Sequence, residues 1–77
     1  MRRELSELLA AADRSEVTVV TWFARLDRRR DGGVDVWWTA MVRTGGTVRA
    51  KAEAGTQEEA LFEALEALRT HHPRVGG

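Results

Sequence analysis

Apolar side chains occupy the even-numbered positions of two neighbouring stretches of the chain, 34–43 and 47–54. Every charged side chain in these stretches stands at an odd position. Successive side chains of a β-strand point to opposite faces of a sheet, so this alternation is typical of two strands that bury the same face. The glycine pairs Gly32-Gly33 and Gly45-Gly46 precede the two stretches and mark turns. The pattern therefore predicts an antiparallel sheet with one buried face.

A third strand is predicted over 17–28, a stretch rich in valine, threonine and aromatic residues. Even positions lie opposite even positions only if each hairpin loop contains an odd number of residues. We therefore expect three-residue loops at 31–33 and 44–46, each with a glycine in the left-handed region. This register places four side chains of the first strand on the buried face: Val20, Trp22, Ala24 and Leu26. The predicted cross-strand pairs on the other face are Phe23 with Met41, Arg25 with Thr39, Met41 with Arg49, and Thr39 with Lys51.

Two amphipathic helices flank the three strands. The first is predicted over 3–13 and the second over 57–70, because apolar side chains recur there at helical spacing. Thr56 and Glu59 form a capping box at the start of the second helix. The apolar stripes are Leu5, Leu8, Leu9 and Ala12 in the first helix, and Leu61, Ala64, Leu65 and Leu68 in the second.

The predicted fold class is α+β, with the order α-β-β-β-α. It comprises a three-stranded antiparallel meander with at least the second helix packed on its even face. The 77 residues form a single small domain. The segment 71–77 is expected to be a flexible tail, since Pro73 prevents the helix from continuing.

Composition argues against several classes of function. The chain contains no cysteine, which excludes disulfides and thiol catalysis. His71 and His72 are its only histidines, too few ligands for a closed metal site. Neither Ser6 nor Ser15 lies in a sequence context typical of a catalytic nucleophile. We therefore expect no enzyme activity, no cofactor and no metal site. No apolar run is long enough to cross a membrane. The 12 acidic and 12 basic residues cancel, so no overall electrostatic field attracts the chain to nucleic acid or to a membrane. With 43% hydrophobic and 31% charged residues, the composition predicts a folded cytoplasmic protein.

The odd face of the predicted sheet combines aromatic and basic side chains. Phe23, Trp37 and Met41 occupy its middle, surrounded by four cations: Arg25, Arg43, Arg49 and Lys51. The outer side of the second helix is acidic, so the zero net charge conceals a segregation of charge by face. Exposed aromatic rings beside basic groups are typical of surfaces that stack unpaired bases and neutralise phosphates. We therefore predict that this face binds nucleic acid.

Two other interpretations of the odd face remain open. In one, a protein partner or a second copy of the chain binds this face; in the other, the first helix covers it as a third layer. The arginines at the tip of the first hairpin, Arg28, Arg29 and Arg30, either extend the nucleic-acid surface or are solvated. Asp27 and Asp31 flank them and would neutralise part of their charge.

The order of elements resembles the double-stranded RNA-binding domain family, which has a similar length and the same meander. The stretch from Gly55 to Ala60, followed by Ala64, Leu65, Ala67 and Leu68, is similar to the start of that family's last helix. The family carries a pair of lysines there that contact phosphates. This chain has Gln57, Glu58 and Glu59 instead, so the resemblance implies the fold but not duplex RNA binding by that route.

Overall fold

The computed structural model describes residues 4–70 of the chain. Its elements are α1 (Leu5–Arg14), β1 (Val19–Arg28), β2 (Val34–Thr44), β3 (Thr47–Ala54) and α2 (Gln57–Thr70). The strands form one antiparallel sheet in the order β1-β2-β3. This confirms the predicted α+β class and element order, with boundaries that differ from the predicted ones by at most two residues. The predicted tail at 71–77, with its two histidines, lies outside the described residues.

The pairing of β1 with β2 differs from the predicted register by two residues. Phe23 lies opposite Thr39, and Arg25 lies opposite Trp37. The predicted pairs of Phe23 with Met41 and of Arg25 with Thr39 are therefore wrong. Because a shift of two residues does not change the face of any side chain, the assignment of even and odd positions to faces is unaffected.

The longer loop of the first hairpin causes this shift. The loop contains the five residues 29–33 rather than three, and the N–H of Arg29 donates to the carbonyl of Gly33 at 2.8 Å. Asp31 stabilises the loop from inside, since its carboxylate accepts the N–H of Gly33 at 2.8 Å. The left-handed φ of 91° at Gly32 completes the turn.

The second hairpin turns through the two residues Gly45 and Gly46, so the predicted three-residue loop is wrong. Both glycines have positive φ, 57° and 94°, as a type I′ turn requires. Such a turn matches the twist of the flanking strands. By itself, however, it would shift the pairing by one residue and place Lys51 and Glu53 on the buried face.

A β-bulge at Arg49 corrects that shift. Arg43 lies opposite Val48 and Val42 opposite Ala50, so Arg49 is the extra residue in β3. Beyond the bulge, even positions again lie opposite even positions. The observed pairs are Met41 with Lys51 and Thr39 with Glu53, so the predicted pairs of Met41 with Arg49 and of Thr39 with Lys51 are wrong.

Both helices pack on the even face of the sheet. Leu8 of α1 and Leu61 of α2 belong to one buried cluster with Ala40 and Val42 of β2. The predicted apolar face of α2 is confirmed, since Leu61, Ala64 and Leu68 are buried and Leu65 is partly buried. The α1 stripe is confirmed in part: Leu8 and Ala12 are buried, but Leu9 is exposed. The interpretation of α1 as a third layer over the odd face is wrong.

The start of α2 is fixed by two sets of hydrogen bonds. Thr56 Oγ1 accepts the N–H of Glu59 at 3.1 Å, which satisfies one of the free donors of the first turn. The Thr56 hydroxyl donates to the Glu59 carboxylate at 3.2 Å. The indole N–H of Trp22 donates to the carbonyl of Gln57 at 3.2 Å. Together these bonds hold the first turn of α2 above Trp22 in the middle of β1.

The β1–β2 hairpin extends beyond the reach of α2. A helix of 14 residues is about 21 Å long. A strand of 10 residues spans about 33 Å. Ala24 and Leu26 were predicted to face the core, but they lie past the start of α2 and are exposed, Leu26 at 66%. We call the part of the β1–β2 hairpin that lies beyond α2 the protruding arm. The predicted strand is longer than the predicted helix, and this difference in length, already present in the sequence, could have indicated the arm.

Candidate nucleic-acid interface

The face opposite the helices is called here the open face, and the odd positions of β1 and β2 form most of it. Its cross-strand rows follow from the observed register and run from the second hairpin toward the tip of the first. In order, the rows are Val19–Arg43–Val48, Thr21–Met41–Lys51, Phe23–Thr39–Glu53, Arg25–Trp37 and Asp27–Asp35. Val48, predicted on the buried face, lies here because the bulge separates it from the rest of β3.

The centre of the open face is aromatic. Phe23 is 51% exposed and Trp37 is 37% exposed. They stand on neighbouring strands as diagonal neighbours, a relationship that places side chains about 7–8 Å apart. Met41, the third predicted apolar residue, is partly buried in the adjoining row. Of the three, Phe23 and Trp37 therefore offer the accessible apolar surface.

Arg25 contacts two carboxylates and an aromatic ring on the open face. Its guanidinium forms ion pairs with Asp27 at 3.2 Å and with Glu53 at 3.0 Å. The same group lies over the ring of Trp37, with 6.0 Å between Cζ and the ring centre. Arg25 was predicted as a phosphate contact, and in the structure its guanidinium contacts two carboxylates and an indole.

Arg43 and Lys51 form a basic end of the open face. Lys51 is exposed and forms no ion pair within residues 4–70. Arg43 is partly buried, and its Nη2 donates to Met41 Sδ at 3.4 Å. Its Nε is buried and has no hydrogen-bond partner among the described residues. Both cations therefore lack an anionic partner in this part of the chain.

Arg49 does not join the other predicted site residues. The bulge turns it to the side of the helices, where its Nη1 donates to Thr44 Oγ1 at 3.4 Å. It lines a groove between α1 and α2 together with Phe62 and Leu65. The prediction failed because a bulged residue leaves the strict alternation on which the assignment to a face depends.

The three tip arginines have different positions. Arg29 forms ion pairs with Asp31 and Asp35 across the loop. Arg28 lies opposite Val34 at an even position, which places it on the side of the helices. Arg30 is exposed in the loop. None of the three arginines lies beside Phe23 and Trp37 on the open face.

Every carboxylate of the open face is in an ion pair. Arg25 pairs with both Asp27 and Glu53, and Arg29 pairs with Asp35 as well as with Asp31, so two guanidinium groups are shared among four carboxylates. The open face therefore presents two cations without an anionic partner at one end and no unpaired anion among the described residues. The role of Glu53 was not predicted, although its odd position in the third strand already placed it on this face.

Two features are absent from the described part of the chain. Residues 4–70 contain no group of three histidine, aspartate or glutamate side chains placed to hold a metal ion. Neither described helix is long and apolar enough to cross a membrane.

Comparisons with known proteins assign this chain to no family. The chain matches no protein-family model, and neither the curated proteins nor the solved structures gave a match. The likeness to double-stranded RNA-binding domains therefore rests on the order α-β-β-β-α and on the start of α2.

Proposed function

We propose that this protein is a non-catalytic module that binds single-stranded nucleic acid through its open face. One observation carries the proposal. Phe23 and Trp37 are exposed on neighbouring strands of a sheet face on which every carboxylate is in an ion pair. Lys51 and Arg43, at the basic end of that face, form no ion pair within residues 4–70. An aromatic surface with unpaired cations beside it suits a ligand with flat bases and a charged backbone.

Bases would be held by stacking at the centre of the face. Phe23 and Trp37 each accept one base, because every base has a π-face and stacking needs no particular sequence. The guanidinium plane of Arg25 can stack on a base in the same way. Since Arg25 already lies over Trp37, a base either inserts between the two groups or stacks on the outer side of the guanidinium.

Phosphates would be neutralised at the basic end, by Lys51 and Arg43. With two such contacts on a single strand, log K is expected to fall with log salt with a slope of about −1.4. That slope corresponds to a loss of about seven-fold in affinity between about 50 and 200 mM salt. The ligand is expected to be single-stranded, because stacked and paired bases in a duplex cannot reach the rings.

The test is a fluorescence-anisotropy titration with a labelled, mixed-sequence single strand and with its matched duplex, at low and at physiological salt. We expect the single strand to bind more tightly and Lys51→Ala to reduce the salt slope by about 0.7. Arg69→Ala, which removes the same charge from the exposed C-terminal turn of α2, away from the open face, should leave the slope unchanged. Absence of binding to the single strand at low salt contradicts the proposal.

A second candidate is a protein partner or second copy docked on the same open face. The observation that favours it is the apolar surface that Val19 and Val48 add at the basic end, where both are exposed. Sedimentation of Phe23→Glu separates the candidates. If the wild-type chain self-associates and this variant does not, the open face is a homotypic interface rather than a nucleic-acid site.

A further inference from the structure

The protruding arm has an apolar strip on the side of the helices, distinct from the open face. We call the arm strip the surface formed by Ala24, Leu26, Val34 and Val36. All four are exposed, and Leu26 lies directly opposite Val36. The strip continues the buried face of the sheet past the start of α2, so it has the composition of a core without a covering layer.

We propose that the arm strip is covered by the arm strip of a second copy of this chain, packed face to face around a two-fold axis. Three observations carry the inference: the layer that α2 leaves vacant, the self-complementary apolar surface, and the opposite charges at the two ends of the strip. The arrangement does not depend on nucleic-acid binding, since the open faces of both copies point outward.

The vacant layer has the right thickness for a second arm. A helix is about 10–12 Å across, and two sheets that pack face to face lie about 10 Å apart. The arm of one copy can therefore occupy the layer of α2 in the other, directly beyond its first turn. A two-fold axis makes the contact isologous, so that each Leu26 packs against the strip of the other copy.

The two ends of the strip carry opposite charges. Arg28 stands at the tip of the arm on the side of the helices and forms no ion pair within residues 4–70. Glu58 and Glu59 stand in the first turn of α2 at the other end of the strip. An antiparallel arrangement around a two-fold axis brings each Arg28 to the acidic turn of the other copy. Parallel stacking would place like charges together.

The size of the strip sets the strength of the association. Five residues along two strands cover about 17 Å by 10 Å. That is far below the roughly 800 Å² per partner of a typical stable interface. We therefore expect a weak dimer, populated at high protein concentration.

The experiment is sedimentation equilibrium of the full chain from micromolar to millimolar concentration. The weight-average mass should rise from 8.6 kDa toward twice that value. Leu26→Asp should remain monomeric throughout, with unchanged circular dichroism because Leu26 is exposed. Phe23→Asp, which places the same charge on the opposite face of the same strand, should associate like the wild type.

A charge exchange tests the predicted orientation. Arg28→Glu should weaken association, and the double variant Arg28→Glu/Glu58→Arg should restore it, because both cross-copy pairs are then re-formed. A monomeric wild type at millimolar concentration would overturn the proposal. So would association that is lost in Phe23→Asp and kept in Leu26→Asp, or a double variant no better than Arg28→Glu alone.

Discussion

Arg25 and Trp37 stand directly opposite each other in the β1–β2 ladder, and the guanidinium of Arg25 lies over the indole ring with Cζ 6.0 Å from its centre. Asp27 and Glu53 hold the guanidinium from two sides. The pair therefore forms a prearranged flat surface at the centre of the open face, next to the exposed ring of Phe23.

Trp37→Ala should weaken binding of a single-stranded oligonucleotide. Loss of the stacking contact with one base weakens the free energy of binding by about 1–3 kcal/mol, which raises Kd about 5- to 150-fold. The measurement is the anisotropy titration at fixed low salt. Leu26→Ala, on the opposite face of the neighbouring strand, is the matched control and should bind like the wild type. Equal affinities for wild type and Trp37→Ala would exclude the ring from the site.

Glu53→Gln should strengthen nucleic-acid binding. The change removes an anion from the open face and releases one of the two carboxylate contacts of Arg25. An exposed ion pair contributes about 0.2–1 kcal/mol, so the gain should reach at most about five-fold in affinity. Glu63→Gln on the exposed side of α2 removes the same charge far from the face, and its affinity should not change. Weaker binding by Glu53→Gln would show that Arg25 must be held rather than freed.

Deletion of Arg49 should leave the fold intact. With the bulged residue removed, the Gly45-Gly46 turn leads straight into regular pairing, and Lys51 stays on the open face. We expect the free energy of unfolding to change by less than about 1 kcal/mol. In a hairpin with a three-residue loop and no bulge, the same deletion would bury Lys51 and unfold the chain.

The control for that deletion is removal of Ala50 instead. The chain then has the same length, but the Arg49 side chain takes the place opposite Val42 on the buried face. Thermal unfolding followed by circular dichroism should show a loss of several kcal/mol for this variant. If the two deletions are equally stable, the bulge does not set the register.

Some features of the structure could be predicted from the sequence and others could not, because different physical rules determine them. Face assignment followed from the period of two residues, and the core side chains Ala40 and Val42 occupy even positions as expected. Sequence could not choose between loop lengths, because a glycine pair suits both a three-residue loop and a two-residue turn with a bulge. Arg49 was misplaced for that reason. Leu26 was misplaced because the element lengths show that α2 leaves part of β1 uncovered, but which part depends on where the helix begins in space.

Gly46→Ala should destabilise the protein by about 1–2 kcal/mol, since a φ of 94° is unfavourable for any residue with a Cβ atom. Gly55→Ala is the matched control: a Cβ there meets open space, and its φ is not in the left-handed region. Urea unfolding of both variants provides the measurement. A cost for Gly55→Ala as large as that for Gly46→Ala would contradict the assigned turn geometry.

The open face is tested most directly by NMR chemical-shift mapping of the ¹⁵N-labelled chain with a single-stranded oligonucleotide of about eight nucleotides at low salt. The account predicts that the largest shifts fall on Phe23, the indole N–H of Trp37 and Lys51, while α1 and α2 are unaffected. Shifts confined to the groove between the helices, or no shifts at all, would contradict it.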